Sequence, residues 1–180
     1  MFKLNISSDY SNNYWFEYKS DSISGSSFLQ CKKISGKHCF QFYLKSKVSE
    51  SRLFSYDFYF SDGPFFISPR LVSILSKEKD VMKDIQLVDC LVRVNDIEYH
   101  DYKIVNILKE ISCIDVEKSE SRPLLSYLPN GPKKFEKIVF KEGIKESFSI
   151  ARCQEYKSCV VISEQLRSIF LEINVKGIEV

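Results

Sequence analysis

The clearest pattern in the chain is a short apolar run, a serine and an amphipathic stretch, and it occurs twice. In the C-terminal copy the run Cys159–Ile162 is rich in β-branched residues and predicts a buried strand. Ser163 follows and predicts a helix N-cap, because its hydroxyl can accept a hydrogen bond from a free backbone N–H. Apolar residues then recur on one helix face, at Leu166, Ile169, Phe170 and Ile173. Gly177 permits a turn, and the alternation up to Val180 predicts a final strand.

The same arrangement stands near the middle of the chain, from Phe66 to Val88. Ser68 occupies the position of Ser163, and Pro69 takes the first helical position, where its missing N–H costs nothing. Two copies are too few for a solenoid, which needs at least three repeats. The pattern predicts a pseudo-duplicated α+β domain with two equivalent amphipathic helices. The alternative is coincidence, because strand, serine and helix are a common local combination.

Elsewhere the alternation of apolar and polar residues predicts the strands of a mainly antiparallel sheet. These strands are Phe2–Ile6, Tyr14–Tyr18, Phe54–Phe60, Ile85–Val94, Tyr102–Ile111, Phe135–Phe140 and Phe148–Arg152. Within them, residues 107–111 could also be helical. Residues 28–45 predict a hairpin that turns at Ser35 and Gly36. Residues 121–134 predict a long irregular segment, since they contain Pro123, Pro129, Gly131 and Pro132.

Composition predicts one domain over residues 1–180, in which residues 1–60 form an aromatic-rich β region. The 180 residues are enough to bury a sizeable core, and 44% apolar and 28% charged residues are typical of a soluble globular protein. The net charge of +2 gives no field that would favour nucleic acid or membranes. No apolar run approaches the ~20 residues of a membrane span. The N-terminus lacks the apolar core of a secretion signal, and the scattered cysteines predict reduced core thiols and a cytoplasmic location.

The candidate chemistry is sparse. Cys31, His38 and Cys39 are close in sequence, but no paired C-x-x-C or second ligand pair accompanies them. No glycine-rich phosphate loop and no local nucleophile signature is present. We therefore expect no metal, no cofactor and no catalytic residues. A small enzyme with cysteine or carboxylate chemistry stays open as an alternative.

Residues 31–52 combine six basic residues and one acidic residue with Phe40, Phe42 and Tyr43. Basic residues interleaved with aromatic rings are typical of a surface that stacks on single-stranded nucleic acid. A hairpin with an aromatic core face and a lysine-rich solvent face accounts for the same residues and is the favoured interpretation. Nucleic-acid binding by this hairpin is the alternative function.

Seven short motifs follow one another between about residues 60 and 180. They are FFISPRLVSIL (Phe65–Leu75), IQLVDC (Ile85–Cys90), YKIVNIL (Tyr102–Leu108), IDVEKSE (Ile114–Glu120), FEKIVF (Phe135–Phe140), SIAR (Ser149–Arg152) and VVISEQLRSIF…KGIEV (Val160–Val180). In order and spacing they resemble the eleventh immunity-protein family of bacterial polymorphic toxin systems, formerly a domain of unknown function. The family often has Phe before the arginine of SIAR, where this chain has Ala151. Residues 1–60 carry no such likeness.

The resemblance implies a non-enzymatic, cytoplasmic protein that neutralises one cognate toxin by forming a tight complex. The toxin would be encoded by an adjacent gene, and no catalytic residue carries over from the family. Ser68 and Ser163 carry over only as helix caps.

For the toxin-facing surface the sequence offers the acidic loop and the proline-rich loop after it. Residues 95–120 carry seven acidic and three basic residues, and an acidic surface suits a basic partner. Irregular loops with exposed tyrosine or arginine often carry recognition. The residues predicted to bind the partner are Asp115, Glu117, Glu120, Arg122 and Tyr127. A solvated connection with no partner explains the same residues equally well.

Overall fold

A computed structural model of the chain describes residues 1–44, 46–124, 127–128, 131 and 133–180. Its α-helices are α1 (Glu50–Leu53), α2 (Pro69–Leu75), α3 (Lys79–Asp84) and α4 (Glu164–Glu172), and two 3₁₀ turns cover Asn12–Tyr14 and Gly25–Leu29. Its strands are β1 (Phe2–Lys3), β2 (Asn5–Ile6), β3 (Glu17–Ser20), β4 (Phe40–Tyr43), β5 (Phe58–Tyr59), β6 (Phe66–Ile67), β7 (Ile85–Asp89), β8 (Leu91–Val94), β9 (Ile97–Tyr99), β10 (Lys103–Ile107), β11 (Glu110–Ile111), β12 (Glu120–Pro123), β13 (Lys133–Lys137), β14 (Ile150–Cys153), β15 (Val160–Ile162) and β16 (Ile178–Glu179). In the part of the chain so described, no helix is long and apolar enough to cross a bilayer.

The strands form three four-stranded sheets and two two-stranded sheets within the described residues. The four-stranded sheets have the orders β1-β15-β14-β11, β5-β6-β10-β7 and β3-β4-β8-β9. Two of the pairings, β11 with β14 and β4 with β8, are parallel, and the others are antiparallel. The predicted α+β fold with mainly antiparallel sheets is confirmed.

The two serine caps are confirmed at the atomic level. Ser68 Oγ accepts the backbone N–H of Leu71 at 3.2 Å, and Ser163 Oγ accepts that of Leu166 at 3.2 Å. Both serines have extended backbone and precede the first helical residue. Helices α2 and α4 each bury two residues of the predicted apolar face, namely Leu71 and Leu75 in α2 and Leu166 and Phe170 in α4.

The two units diverge after their helices. In the first unit α3 is inserted, and β7 then returns to the sheet of β6, with β10 between them. In the second unit β16 leaves the sheet of β15 and pairs with β2, where Ile178 stands opposite Ile6. The turn before β16 needs Gly177, whose φ is +99° and whose absent Cβ would lie 2.8 Å from the carbonyl oxygen of Phe58. The likeness of the units therefore extends through the capped helix.

The predicted hairpin over residues 28–45 is wrong. Strand β4 pairs with β3 and β8, and residues 30–39 contain neither helix nor strand. Side chains from elsewhere satisfy this segment: the Gln86 amide accepts the N–H of Ile34 at 2.9 Å and donates to its carbonyl at 2.8 Å. Asn106 likewise donates to the carbonyl of Lys32 at 2.9 Å. The segment thus has no need to pair with itself, and Lys45 lies outside the described residues.

Other predicted strands are shorter or divided. Residues 54–60 begin at the end of α1, so only β5 is a strand there. The run 85–94 splits at Cys90 into β7 and β8, which belong to different sheets. The run 102–111 is extended in β10 and β11, not helical. Residues 121–134 are regular at both ends, because β12 and β13 pair there, and Pro129 and Pro132 lie outside the described residues.

Buried side chains form two clusters on either side of the β1-β15-β14-β11 sheet. The main cluster is built around the aromatic residues of the N-terminal half and the helices, including Phe16, Phe42, Phe58, Phe66, Leu71 and Phe170. The second cluster consists of Ile111, Cys113, Ile114, Phe135, Ala151, Cys153, Cys159 and Val161. Ile150 and Ile162 face the main cluster, whereas Ala151 and Val161 face the second. Four of the six cysteines are buried, which confirms that most of them are core residues.

Candidate partner-binding surface

Strands β12 and β13 form a two-stranded extension that we call the arm (residues 114–124, 127–128, 131 and 133–140). Arg122 stands opposite Lys134, and the register shifts between Glu120 and Ser121. Toward the second cluster the pairing continues through the N–H of Asp115, which donates to the carbonyl of Val139 at 2.8 Å. The arm is therefore a hairpin-like ladder whose strands are held together over most of their length.

The base of the arm packs on the second cluster. The Phe135 side chain is buried, and its ring centroid lies 5.5 Å from that of Tyr156. Ile138 and Phe140 are partly buried against the same cluster. Because strand residues alternate between faces, Lys134 and Glu136 on either side of Phe135 are exposed. The arm thus has one apolar anchor in its second strand and a polar outer face.

A carboxylate fixes the two chain segments that lead into the arm. Glu155 accepts hydrogen bonds from the hydroxyl of Ser112 at 2.7 Å, the backbone N–H of Cys113 at 3.2 Å and the ammonium of Lys141 at 2.9 Å. Burial disfavours the charged form of Glu155, but these hydrogen bonds outweigh burial and lower its pKa to about 2. The sequence contains no local signal for this clamp, because its members are separated by 14 to 43 positions.

The far end of the arm exposes large apolar side chains. Tyr127 is 79% exposed and Leu124 is 62% exposed, and Leu128 is also exposed. The N–H of Gly131 donates to the carbonyl of Leu128 at 2.9 Å, and a Cβ at Gly131 would lie 2.6 Å from Leu128 Cδ2. Exposed apolar side chains that cluster on one segment often mark a protein-interaction site, and tyrosine is enriched at the energetic centres of interfaces.

All five residues predicted to bind the partner lie on the arm, but lysines and a glutamate balance most of their charges. Glu120 pairs with Lys137 at 3.7 Å, and Arg122 pairs with Glu136 at 2.9 Å. Both pairs cross between the strands and are exposed, so each contributes on the order of 0–1 kcal/mol to stability.

Asp115 closes the turn before β12. Its carboxylate accepts the backbone N–H of Lys118 at 3.2 Å and pairs with the Lys118 ammonium at 3.4 Å. The backbone hydrogen bond from Lys118 is the main reason why the pKa of Asp115 is lowered. Glu117 is exposed and has no ion pair among the residues that the structure describes. The loop is therefore less acidic at its surface than its sequence indicates.

The basic region of the alternative function lacks the geometry expected of a stacking surface. Phe40 and Phe42 are buried in the main cluster, so neither ring can stack on a base. The half-buried ring of Tyr43 is already in contact with cations, the Lys19 ammonium 5.0 Å and the guanidinium carbon of Arg93 5.2 Å from its centroid.

No protein-family model matches the chain, and no curated protein matches it significantly. The likeness to the immunity-protein family therefore rests on the ordered motifs in residues 60–180. Tyr127 was predicted from the sequence, but its exposed neighbours Leu124 and Leu128 were not, because apolar residues among prolines show no helix or strand period.

Proposed function

We propose that this chain is an immunity protein that binds a cognate bacterial toxin and occludes its active site. The ordered motifs of residues 60–180 support the class of protein. The arm supports the mode of action, because it presents Tyr127, Leu124 and Leu128 to solvent on a segment anchored at its base. The exposed apolar end of the arm is the single observation that carries the proposal.

The arm would act as an inserted wedge. Tyr127 and its two leucines would enter a concave site on the toxin and lose contact with water, which gives the apolar contribution to affinity. The exposed pairs of Glu120 and Arg122 would form the polar rim of the interface, where charges influence the association rate more than the affinity. Inhibition needs no cofactor and no catalytic residue.

The proposal is tested first by co-expression with the product of the adjacent gene. We expect that product to arrest growth when it is expressed alone, and this chain to restore growth and co-elute with it stoichiometrically. Rescue without a complex, or a harmless neighbour, would exclude inhibition by tight binding.

The arm is tested by removing its apolar end. We expect Tyr127→Ala combined with Leu128→Ser to weaken toxin binding by at least about 30-fold, since an interface hot spot contributes about 2 kcal/mol or more. The matched control is Leu171→Ser, which removes an exposed leucine from α4, 56% exposed against 46% for Leu128, and is expected to leave affinity unchanged. Binding would be measured by calorimetry after the urea midpoints of both variants are confirmed to equal that of the parent chain. A variant without the apolar end that binds normally would show that the toxin contacts another surface.

The predicted acidic residues are tested separately. The double variant Glu117→Lys with Glu120→Lys is expected to slow association by about tenfold at low salt and to change dissociation little. Unchanged association kinetics at low salt would remove these two residues from the interface while leaving the apolar end in place.

A further inference from the structure

A cavity of about 380 Å³ lies between the β1-β15-β14-β11 sheet and the aromatic N-terminal half of the chain. Its walls are mostly apolar and include Leu4, Phe28, Phe60, Phe65 and Val160. The volume falls within the range of small-molecule sites, which is roughly 300–1,000 Å³. None of the arm residues that the structure describes lines this cavity.

A charged side chain, Arg152, lines this apolar cavity. Arg152 on β14 stands opposite Val160 on β15 and is only 4% exposed. One nitrogen of its guanidinium donates to the carbonyl of Lys157 at 2.8 Å, and its Nε has no acceptor among the described residues. Glu110, its neighbour across the parallel pairing of β11 and β14, forms an ion pair with Lys157 instead. Arg152 is therefore a buried cation without a carboxylate partner in the described part of the chain.

A buried cation of this kind is costly unless an anion accompanies it. Removing a guanidinium from water is unfavourable, so buried charges are normally paired and buried N–H groups are normally hydrogen-bonded. Burial lowers the pKa of Arg152, but a guanidinium stays charged in proteins. An anionic group bound in the cavity would supply the hydrogen-bond acceptor that Arg152 Nε lacks.

We infer that the cavity binds a small amphipathic carboxylic acid, with its carboxylate on Arg152 and its apolar body along the aromatic wall. A carboxylate carries the single charge that one guanidinium compensates, and it accepts from arginine in a planar, charge-assisted geometry. The apolar walls offer few donors for the second charge and third oxygen of a phosphate. The Ser61 hydroxyl is already engaged, since it donates to the carbonyl of Pro64 at 2.7 Å and accepts the N–H of Gly63 at 3.0 Å.

One lining residue of the cavity is an intrinsic fluorescence probe. Trp15 lines the cavity, is 45% exposed and stacks on Phe60 with ring centroids 6.1 Å apart. It is the only tryptophan of the chain. A ligand bound in the cavity will change the environment of the indole, so intrinsic fluorescence measures occupancy directly.

The test titrates the full chain with butyrate, hexanoate and octanoate, and with 1-octanol as the uncharged analogue. We expect saturable changes in Trp15 fluorescence, with affinity rising roughly three- to fourfold per methylene. Octanoate should bind at least about tenfold more tightly than 1-octanol, because only the acid gains charge-assisted hydrogen bonds. Equal binding of acid and alcohol, or no saturable change with any acid at millimolar concentration, would overturn the inference.

Two variants locate the site. Arg152→Met replaces the guanidinium by an unbranched apolar side chain about as long as the aliphatic part of arginine, and is expected to abolish the preference for octanoate while 1-octanol still binds. The matched control is Arg122→Met on the arm, which should leave that preference intact. If Arg152→Met does not fold, Ser158→Phe obstructs the cavity from an exposed position and should abolish binding of every probe. Octanoate binding that survives Ser158→Phe would place the ligand elsewhere and overturn the inference.

A carboxylate with an apolar body can be a free acid or the C-terminus of a peptide. The acid and amide forms of acetyl-leucyl-valine separate these sources in the same assay. We expect octanoate to bind more tightly than the dipeptide acid. Tighter binding of the dipeptide acid, with the amide inactive, would assign the cavity to a protein C-terminus and overturn the free-acid assignment. The inference is independent of the proposed toxin binding, because the cavity and the arm share no described residue.

Discussion

Two carboxylates in different regions of the molecule hold distant segments together with the same three kinds of donor. Asp57, beside the main cluster, accepts from the Ser68 hydroxyl at 2.9 Å, the backbone N–H of Lys176 at 3.1 Å and the guanidinium of Arg70 at 2.5 and 3.0 Å. Glu155, at the base of the arm, accepts from a hydroxyl, a backbone N–H and an ammonium. Each site therefore combines a cation, a hydroxyl and an amide around one acid.

The two sites differ in burial and in what they join. The Asp57 side chain is 4% exposed, whereas that of Glu155 is 14% exposed. Asp57 connects the start of α2 to the chain after α4, and Arg70 also donates to the carbonyl of Ile173 at 3.3 Å. It thus links the two serine-capped units through the main cluster. Glu155 joins only the segments at the base of the arm. We therefore expect removal of its charge to lower the free energy of unfolding less than removal of the Asp57 charge, and to affect the structure more locally.

The largest expected effect is that of Asp57→Asn. The amide keeps the size of the carboxylate but removes its charge and leaves the Arg70 guanidinium without an ionic partner. We expect a loss of about 3 kcal/mol in the free energy of unfolding, since breaking a buried ion pair typically costs about 3–5 kcal/mol and Arg70 is half-exposed. Urea unfolding measures it. Asp89→Asn, which breaks a pair between Lys103 and a largely exposed carboxylate, is the control and should cost less than about 1 kcal/mol.

The two caps refine the comparison, because their local geometry is the same and their surroundings differ. Ser163→Ala is expected to cost about 1 kcal/mol, the usual contribution of an N-cap. Ser68→Ala is expected to cost about 2 kcal/mol, because the buried Ser68 hydroxyl also donates to Asp57. Urea unfolding of each variant measures both losses of unfolding free energy. If the two variants lose the same unfolding free energy, the hydrogen bond from Ser68 to Asp57 contributes nothing beyond the cap. The same conclusion follows if the double variant Ser68→Ala with Asp57→Asn loses the sum of the two single losses.

The caps were predictable from the sequence, and the carboxylate sites were not. A cap depends on a serine and the three residues that follow it, so neighbouring residues in the sequence are enough to predict it. Asp57 instead meets partners 11, 13 and 119 positions away, and only the folded chain brings them together. The letters around Asp57 alternate as in a strand, which concealed its position before β5.

The candidate partner-binding arm and the cavity around Arg152 also differ in how much of each could be predicted from the sequence. Tyr127 could be selected because it lies among prolines and glycine, where long irregular segments carry recognition. The arm itself was missed, because proline disfavours regular structure and Pro123 is tolerated only at the end of an edge strand. Arg152 stands in a run of apolar letters, and its burial depends on the pairing of β14 with β11 and β15. The spacing of residues along the sequence cannot predict that Arg152 Nε lacks a hydrogen-bond acceptor.

The Glu155 site is the one whose contribution to stability depends on pH. The pKa of Glu155 falls from 4.5 to about 2 on folding, so the unfolded chain binds this proton more tightly than the folded chain does. Its contribution to stability is therefore fully present above pH 4.5 and is lost as the pH falls toward 2. We expect Glu155→Gln to cost about 1–2 kcal/mol at pH 7, a value reduced by solvent screening of the half-exposed Lys141.

The measured quantity is the difference in the free energy of unfolding between Glu155→Gln and the parent chain, because the titration of all other groups cancels in this difference. Urea unfolding at pH 7, 5 and 3.5 should give a difference that is constant between pH 7 and 5 and smaller at pH 3.5. The control variant is Glu142→Gln, which changes an exposed carboxylate of the neighbouring chain segment. If Glu155 only fastens the arm, hydrogen exchange will accelerate at Lys141 and Cys113 while the amides of β10 stay protected. Acceleration that spreads to β10 would make Glu155 a global linkage like Asp57, and the contrast between the two regions would disappear.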